Sequence, residues 1–414
     1  MTAISMQTFG CKLNFSETTS IGKKLKEGGH SIVDSIQQAD IHIINSCTVT
    51  EHAEKKCRQA IRHAVSVNPS IKIIIIGCYS QLRPEELAEM PNVVFVCGNE
   101  TKFKLPEIID GMTKDTIKIS SPDDSKHFSY HPAISDDSRT RSFLKIQDGC
   151  DYFCTYCAIP YSRGRSRSDT VENVIKSARK AVDDGKKEIV LDGVNIGEFG
   201  KKNGESLYML LNELIAIDGL KRIRISSIEP NLLESRIINL LSETDKLMPH
   251  FHIPLQCGSD RILKLMHRRY DTSFFRDKLL EIKAIKPLCC LAVDLITGFP
   301  GETTQDFADC ESFIESVPIS YLHVFSYSDR PEAVASKYTD KVPGQEKTRR
   351  SEELHKLSDK KWEEFMTLNK GTVHDVLFER RNEAGRWVGW TDNYIGVELD
   401  SDEDLHNVIT EVRL

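Results

Sequence analysis

The feature that most constrains this chain is a short apolar strand running into three closely spaced cysteines, Phe143-Leu-Lys-Ile-Gln-Asp-Gly-Cys150-Asp-Tyr-Phe-Cys154-Thr-Tyr-Cys157. Asp148-Gly149 is a turn pair, and the C-x3-C-x2-C spacing lets one compact loop aim three thiolates at a single centre. Thiolates are soft ligands that select zinc or an iron–sulfur cluster. A structural zinc closes a tetrahedron with four protein ligands, yet no His or fourth Cys follows closely after Cys157. Three ligands on a four-iron cluster leave one iron open to a small molecule. Zinc with a distant fourth ligand is the competing reading. Unrelated core cysteines would need no fixed spacing.

The length of 414 residues suggests two or three domains with material for a sizeable core. Hydrophobic residues at 39% and charged residues at 28% fit an ordinary globular protein. The N-terminal stretch lacks the basic and apolar regions of a signal peptide. The aliphatic run at Ile71–Ile76 is too short to span a membrane. A cytoplasmic location without membrane contact is expected, with the twelve cysteines acting as ligands or reduced thiols. A net charge of −7 argues against indiscriminate nucleic-acid binding but not against local basic surfaces.

Residues 1–110 alternate apolar strands with amphipathic helices. Strands are expected at Ile4–Gly10, Ile41–Asn45, Ile71–Gly77 and Val93–Val96, with helices near 16–27 and 50–67. The run at Ile71–Gly77 is too apolar for anything but a buried parallel strand, so the fold class is α/β with a doubly wound parallel sheet. Cys11, Cys47 and Cys78 each follow a strand, at the carboxyl edge where such sheets place ligands. A second three-cysteine site is therefore expected, although Cys97 also follows a strand; Cys57 reads as packing on a helix face. Residues 111–138 are polar and turn-rich and read as a linker, ending at the basic approach Arg139-Thr-Arg141.

Residues 139–336 give six strand-like segments separated by helical patterns: 143–146, 188–191, 222–226, 250–253, 291–296 and 321–325. Residues 337–370 form a charged helical connector. Residues 371–414 alternate in a way that suggests a small antiparallel β-barrel.

The longer run Arg141-Ser-Phe-Leu-Lys-Ile-Gln-Asp-Gly-Cys150 through Cys157-Ala-Ile-Pro-Tyr-Ser-Arg-Gly-Arg-Ser-Arg-Ser168 resembles the methylthiotransferase branch of the radical S-adenosylmethionine (SAM) enzymes. Gly10-Cys-Lys-Leu-Asn14, Asn45-Ser-Cys-Thr-Val-Thr50 and Gly77-Cys-Tyr79 resemble the three cysteine motifs of that family's N-terminal domain. The resemblance implies two [4Fe-4S] clusters, one on Cys150, Cys154 and Cys157 that binds and cleaves SAM, and an auxiliary one on Cys11, Cys47 and Cys78 that carries the inserted sulfur. It also implies a partial (β/α)6 barrel, with functional residues beyond the strand ends. By position, Tyr156, Gly193, Asn195, Ser226, Glu229, Gln256, Asp294, Ile296 and Gly298 are the expected SAM contacts. The family's usual Gly-Gly-Glu is absent here; Asp192-Gly-Val-Asn195 stands in its place. Cys257, Cys289, Cys290 and Cys310 have no ligand spacing and read as core.

The final segment resembles the TRAM module, an OB-like RNA-binding barrel, through Gly389-Trp-Thr-Asp-Asn-Tyr394. Trp387, Trp390 and Tyr394, with Arg386, are expected to stack bases, unless the aromatics fill the barrel core. From Gly371 onward the segment carries ten acidic residues against four arginines, so only a local basic face is available. Arg163, Arg165 and Arg167, and Lys347, Arg349 and Arg350, are the expected patches for tRNA phosphates.

The motifs are most similar to those of the subgroup acting on N6-threonylcarbamoyladenosine at tRNA position 37, beside the anticodon. That implies sulfur and methyl transfer to C2, with the anticodon stem-loop as substrate and flavodoxin or ferredoxin as electron donor. Arg268, Arg269 and Arg330 are the candidates to meet the threonylcarbamoyl carboxylate. Arg330-Pro-Glu-Ala departs from the subgroup's usual Pro-Gly-Thr. Alternative readings are the isopentenyladenosine and ribosomal-protein branches, a non-catalytic RNA-binding zinc protein, and an iron–sulfur electron carrier.

Overall fold

The structure, a computed structural model, describes residues 1–112, the backbone of 118–119, residue 131 and residues 140–414. Most of the expected linker over 111–138, and Arg139, lie outside the described residues. The chain divides into two compact units. One holds the N-terminal residues with Phe143–Phe153 and Cys157–Asp169; the other holds Cys154–Tyr156 and Thr170–Leu414 with the short stretch ending at Ser142.

The first unit is built on a six-stranded parallel sheet. Its order is Ser31–Ile32, Ala3–Thr8, Ile41–Ser46, Lys72–Gly77, Val93–Val96 and Lys118–Ile119. Ile73 to Ile76 are fully buried at the sheet centre, as an unbroken isoleucine run requires when helices cover both faces. Two cores result. One packs Ile4, Ile21, Leu25 and Ile74 with Phe95 and Phe103; the other packs Ile61, Ile73 and Ile75 with Tyr79 and Leu87. Cys97 and Cys57 lie in these cores, one in each, and burial pushes both thiols up to about 12. Helix Lys12–Glu27 begins four residues before its expected start, with Cys11 as its N-cap. Helix Glu51–Val67 is capped by Thr50, whose side chain accepts from the Ala53 amide.

The second unit holds two short parallel sheets. Glu188–Asp192 pairs with Arg222–Ile225 in one. His250–Gln256, Cys290–Thr297 and Tyr321–Ser326 form the other sheet. Isolated parallel bridges at Ile223–Leu247 and Ser227–His252 link them. All six expected strands are present. Cys257, Cys289, Cys290 and Cys310 are buried, and Cys310 also accepts from the Gly258 amide.

The last four strands form an antiparallel sheet in the order Gly396–Leu399, Trp387–Thr391, Val373–Arg381, Ile409–Arg413. Here the expectation of free stacking aromatics fails. Trp387 is buried in this sheet's own core and donates its indole N–H to the Glu403 carbonyl. Trp390 and Tyr394 stack on each other at 4.8 Å, and Tyr394 also lies 4.5 Å from the His250 ring and 4.8 Å beneath the Arg224 guanidinium. The reason is charge. Arg222 and Arg224 bracket Glu188 inside the parallel strands, and their remaining N–H groups donate to the carbonyls of Asp375, Trp390, Thr391 and Asp392. Desolvated guanidinium groups need every donor satisfied, and the Thr391-Asp-Asn-Tyr394 turn supplies the acceptors. Asn393 completes the joint by donating to the Leu288 carbonyl.

Candidate functional site

Within the first unit, Cys11, Cys47 and Cys78 follow three adjacent strands at one sheet edge. Gly10, at φ +96°, makes room for them: a Cβ there would sit 2.7 Å from the Cys47 sulfur. Gly77, at φ +102°, turns the chain into the short helix that opens with Cys78. Burial, then the neighbouring charges of Cys78 and Cys11, push the Cys47 thiol up to about 12. Cys47 and Cys78 are buried and Cys11 is exposed, and thiols gathered at one sheet edge favour a cation that lets them deprotonate together.

Donors meet this group from below. Arg163 Nε lies 3.2 Å from the Cys78 sulfur, and Asn99 Nδ2 lies 3.7 Å from it. Arg163 is also held by Glu17, Asp148 and Asn14, all buried. Lys102 and Lys145 complete the cluster on Glu17, and Lys145 also pairs with Asp148. Burial alone would raise the Glu17 carboxyl, but Arg163, Lys102 and Lys145 hold it well below the carboxylate range.

Cys154 lies in the second unit, where Arg268 Nη1 sits 3.0 Å from its sulfur. Arg268 also donates to Tyr156 Oη at 3.2 Å and Tyr270 Oη at 2.9 Å, and it is ion-paired with Glu229. Burial raises the Cys154 thiol, and Arg268 opposes that. Tyr156 and Glu229, both expected at the cofactor, are therefore brought to Cys154, one of the expected ligands, by a shared arginine. In the first unit the backbone N–H of Tyr152 lies 3.4 Å from the Cys150 sulfur.

The other expected cofactor residues stand at the carboxyl ends of the parallel strands. Gly193 and Asn195 follow Glu188–Asp192, Ser226 follows Arg222–Ile225, and Gln256 ends its strand at φ +73°. Ser226 Oγ is buried and has no hydrogen-bond partner among the described residues, which fits a polar ligand in the space it faces. Asp294 and Ile296 share one face of Cys290–Thr297. His252 Nε2 donates to Asp294 Oδ1 at 2.6 Å, and the ligand atoms of His252, Asp294 and His323 lie within 4.8 Å of one another. Gly298, at φ +75°, packs against the Lys347 stem, which a Cβ there would meet. A separate cavity of about 850 Å³, lined by Lys221, Lys246, Asp375 and Asp392 among others, lies at the opposite, amino ends of these strands.

The arginine expectations change most. Arg268 has a buried side chain that is ion-paired with Glu229 and donates to Tyr156, Tyr270 and the Cys154 sulfur. The turn at His267, φ +58°, directs it inward and leaves Arg269 exposed. Arg330 is 4% exposed and donates to Ser328. Of the first expected phosphate patch, Arg163 is buried, Arg167 pairs with Asp148, and only Arg165 is well exposed. Arg349 and Arg350 are paired with Glu346, and with Glu353 and Glu302 respectively. Basic runs in the sequence do not remain basic surfaces when acidic side chains sit a helical turn away.

Residues 3–98 match the uncharacterized protein family UPF0004, and residues 144–314 match the radical SAM superfamily. The chain is 38% identical to the threonylcarbamoyladenosine tRNA methylthiotransferase MtaB of Bacillus subtilis (strain 168), over 100% of this chain and 94% of that one. It is 34% identical to MtaB of Aquifex aeolicus (strain VF5), covering 98% of each. A tRNA-2-methylthio-N(6)-dimethylallyladenosine synthase from Lawsonia intracellularis is 31% identical, over 98% of this chain and 95% of that protein. Among solved structures, the radical SAM methyltransferase TsrM from Kitasatospora setae superposes with a TM-score of 0.59 at 11% identity, covering 81% of this chain and 77% of that one, which is a likeness of fold. With these family matches and near full-length relatives, the chain belongs to the radical S-adenosylmethionine methylthiotransferase family.

Proposed function

We propose that this enzyme inserts a sulfur atom and a methyl group at C2 of N6-threonylcarbamoyladenosine, beside the anticodon of a tRNA. The observation that carries the reaction class is the second cysteine triplet. SAM chemistry by itself needs only Cys150, Cys154 and Cys157, whereas a sulfur-carrying centre needs further ligands, and Cys11, Cys47 and Cys78 converge on one sheet edge. The substrate rests on the near full-length relatives: those named for threonylcarbamoyladenosine reach 38% identity, against 31% for one named for dimethylallyladenosine.

On this reading residues 1–110 hold the auxiliary [4Fe-4S] cluster and 139–336 form the partial (β/α)6 barrel. Residues 337–370 are a helical connector and 371–414 a TRAM-type barrel. When bound, the two clusters and SAM supply a carbon radical able to take hydrogen from an unactivated carbon, together with sulfur and a methyl group. The chain's own residues hold and orient. Arg268 fixes Tyr156 and Glu229 beside Cys154; Ser226, Asn195 and Gln256 line the strand ends where a polar ligand fits. No side chain is assigned as a general acid or base. A low-potential donor such as flavodoxin or ferredoxin supplies electrons, and a tRNA substrate implies the cytoplasm.

The test separates the two triplets. With dithionite as reductant, Cys78→Ala is expected to cleave SAM to deoxyadenosine while producing no methylthiolated RNA. Cys154→Ala is expected to do neither. Normal product formation by Cys78→Ala would remove the sulfur-carrying role from the N-terminal triplet.

A further inference from the structure

We propose that Arg163 is a positioning residue for the auxiliary centre: a buried, surplus cation that hydrogen-bonds the Cys78 sulfur and stabilises the negative charge of the three thiolates. The inference rests on the reading of Cys11, Cys47 and Cys78 as cluster ligands and goes beyond it.

Charge balance carries the argument. Beneath Cys78 lie two carboxylates, Glu17 and Asp148, with Lys102 and Lys145; side-chain exposures in this group run from 0 to 3%. Lys102 pairs with Glu17, and Lys145 bridges Glu17 and Asp148. Those four charges cancel. Arg163, 1% exposed, is a third cation added to an already neutral set. Arg163 itself pairs with both carboxylates, so three buried cations share two carboxylates; the surplus costs several kcal/mol to bury unless a further anion faces it, and Arg163 also reaches the Cys78 sulfur, through Nε at 3.2 Å. Arg167 also reaches Asp148, which makes the set more positive. A four-iron cluster with a 2+ core and three thiolates carries a net negative charge, and a hydrogen bond to a ligand sulfur is among the levers that set its potential. Arg268 provides the contrast. It touches Cys154, but Glu229 neutralises it, so that second arginine brings no surplus charge.

The arrangement also ties distant motifs into one object. Asn14 and Glu17 come from the helix after Cys11, Asn99 and Lys102 from the segment after the fifth strand, Lys145 and Asp148 from the approach to Cys150, and Arg163 from the loop beyond Cys157. The backbone of that loop is tied in as well, through the Cys150 amide to the Gly164 carbonyl.

The experiment uses full-length protein carrying Cys150/Cys154/Cys157→Ala, so that only the auxiliary site can hold a cluster. It is reconstituted anaerobically with iron and sulfide. Iron content and the midpoint potential, followed by electron paramagnetic resonance, are compared for Arg163, Arg163→Met and Arg163→Lys. Because the four buried charges of Glu17, Asp148, Lys102 and Lys145 cancel without Arg163, Arg163→Met is expected to fold and to show a more negative midpoint potential or a loss of bound iron. Arg163→Lys, which keeps the charge, is expected to recover most of the change. Full iron and an unchanged potential in Arg163→Met would overturn the proposal. Should Arg163→Met not fold, Arg163→Lys decides: an altered iron–sulfur(Cys) stretching frequency by resonance Raman supports the hydrogen bond, and an unaltered one overturns it. Absence of iron in the parent with Arg163 intact would instead remove the auxiliary-cluster reading.

Discussion

At the scale of residues, the structure repeatedly spends charge inside the fold. Glu302 illustrates what this does to titration. It accepts from the amides of Gly298 and Phe299 at the end of a parallel strand and lies 3.5 Å from Arg350. Burial nevertheless pushes its carboxyl up to about 7, against the pull of Arg350 and the two amides. A carboxyl raised in this way binds its proton more tightly folded than unfolded. Its contribution is therefore present at low pH and is lost as pH rises from the ordinary carboxylate range through about 7. Over that window it amounts to at most about 3 kcal/mol. Glu302→Gln cannot titrate, so the Tm of wild type relative to the variant is expected to fall between about pH 5 and about pH 8. Parallel pH profiles for the two proteins would contradict this. The same scale shows what the sequence made legible. Ligand cysteines stand in local motifs whose spacing is itself the signal, and Cys57 and Cys97 packed as hydrophobic residues. Arg163 was expected in a phosphate patch and Arg268 at the substrate because nothing local reveals partners such as Glu17, 146 residues from Arg163, or Glu229, 39 residues from Arg268.

At the scale of elements, strand positions followed closely from hydrophobic runs, since a buried parallel strand has little else it can be. The two-residue edge strand Ser31–Ile32 escaped because it is too short to show any alternation. The terminal sheet shows a deeper limit. Its alternation gave the strands, but alternation cannot say whether an outward aromatic meets solvent, RNA or another sheet. Trp390 and Tyr394 meet His250, Arg224 and each other. Truncating residues 371–414 would therefore uncover the Arg222–Glu188–Arg224 group and is not a clean assay of RNA binding. A single change is better. Tyr394→Ala removes the ring beneath Arg224 while leaving the carbonyl acceptors, and is expected to cost on the order of 3 kcal/mol in urea unfolding. Protease cleavage should quicken within 371–414 first. A loss below about 0.5 kcal/mol would mean that the ring is not part of the joint.

At the scale of the whole molecule, no helix among the described residues is long and apolar enough to cross a membrane. The first unit offers a three-thiol edge and the second offers parallel strands with candidate cofactor residues at their carboxyl ends. Family membership was legible from the sequence because both triplets sit in specific motifs. The residues that read the substrate were less so: of the three cations favoured for it, Arg268 is paired with Glu229 and Arg330 is buried, while Arg269 is exposed. The central claim is the substrate and the reaction together. Its most direct measurement offers the reconstituted, reduced enzyme and SAM a choice of three anticodon stem-loops, bearing threonylcarbamoyladenosine, isopentenyladenosine or unmodified adenosine. Methylthio product is followed by mass spectrometry. Product is expected on the threonylcarbamoyladenosine stem-loop at a rate at least tenfold above the others, a difference of about 1.4 kcal/mol in the barrel's discrimination. Preference for the isopentenyladenosine stem-loop would contradict the account.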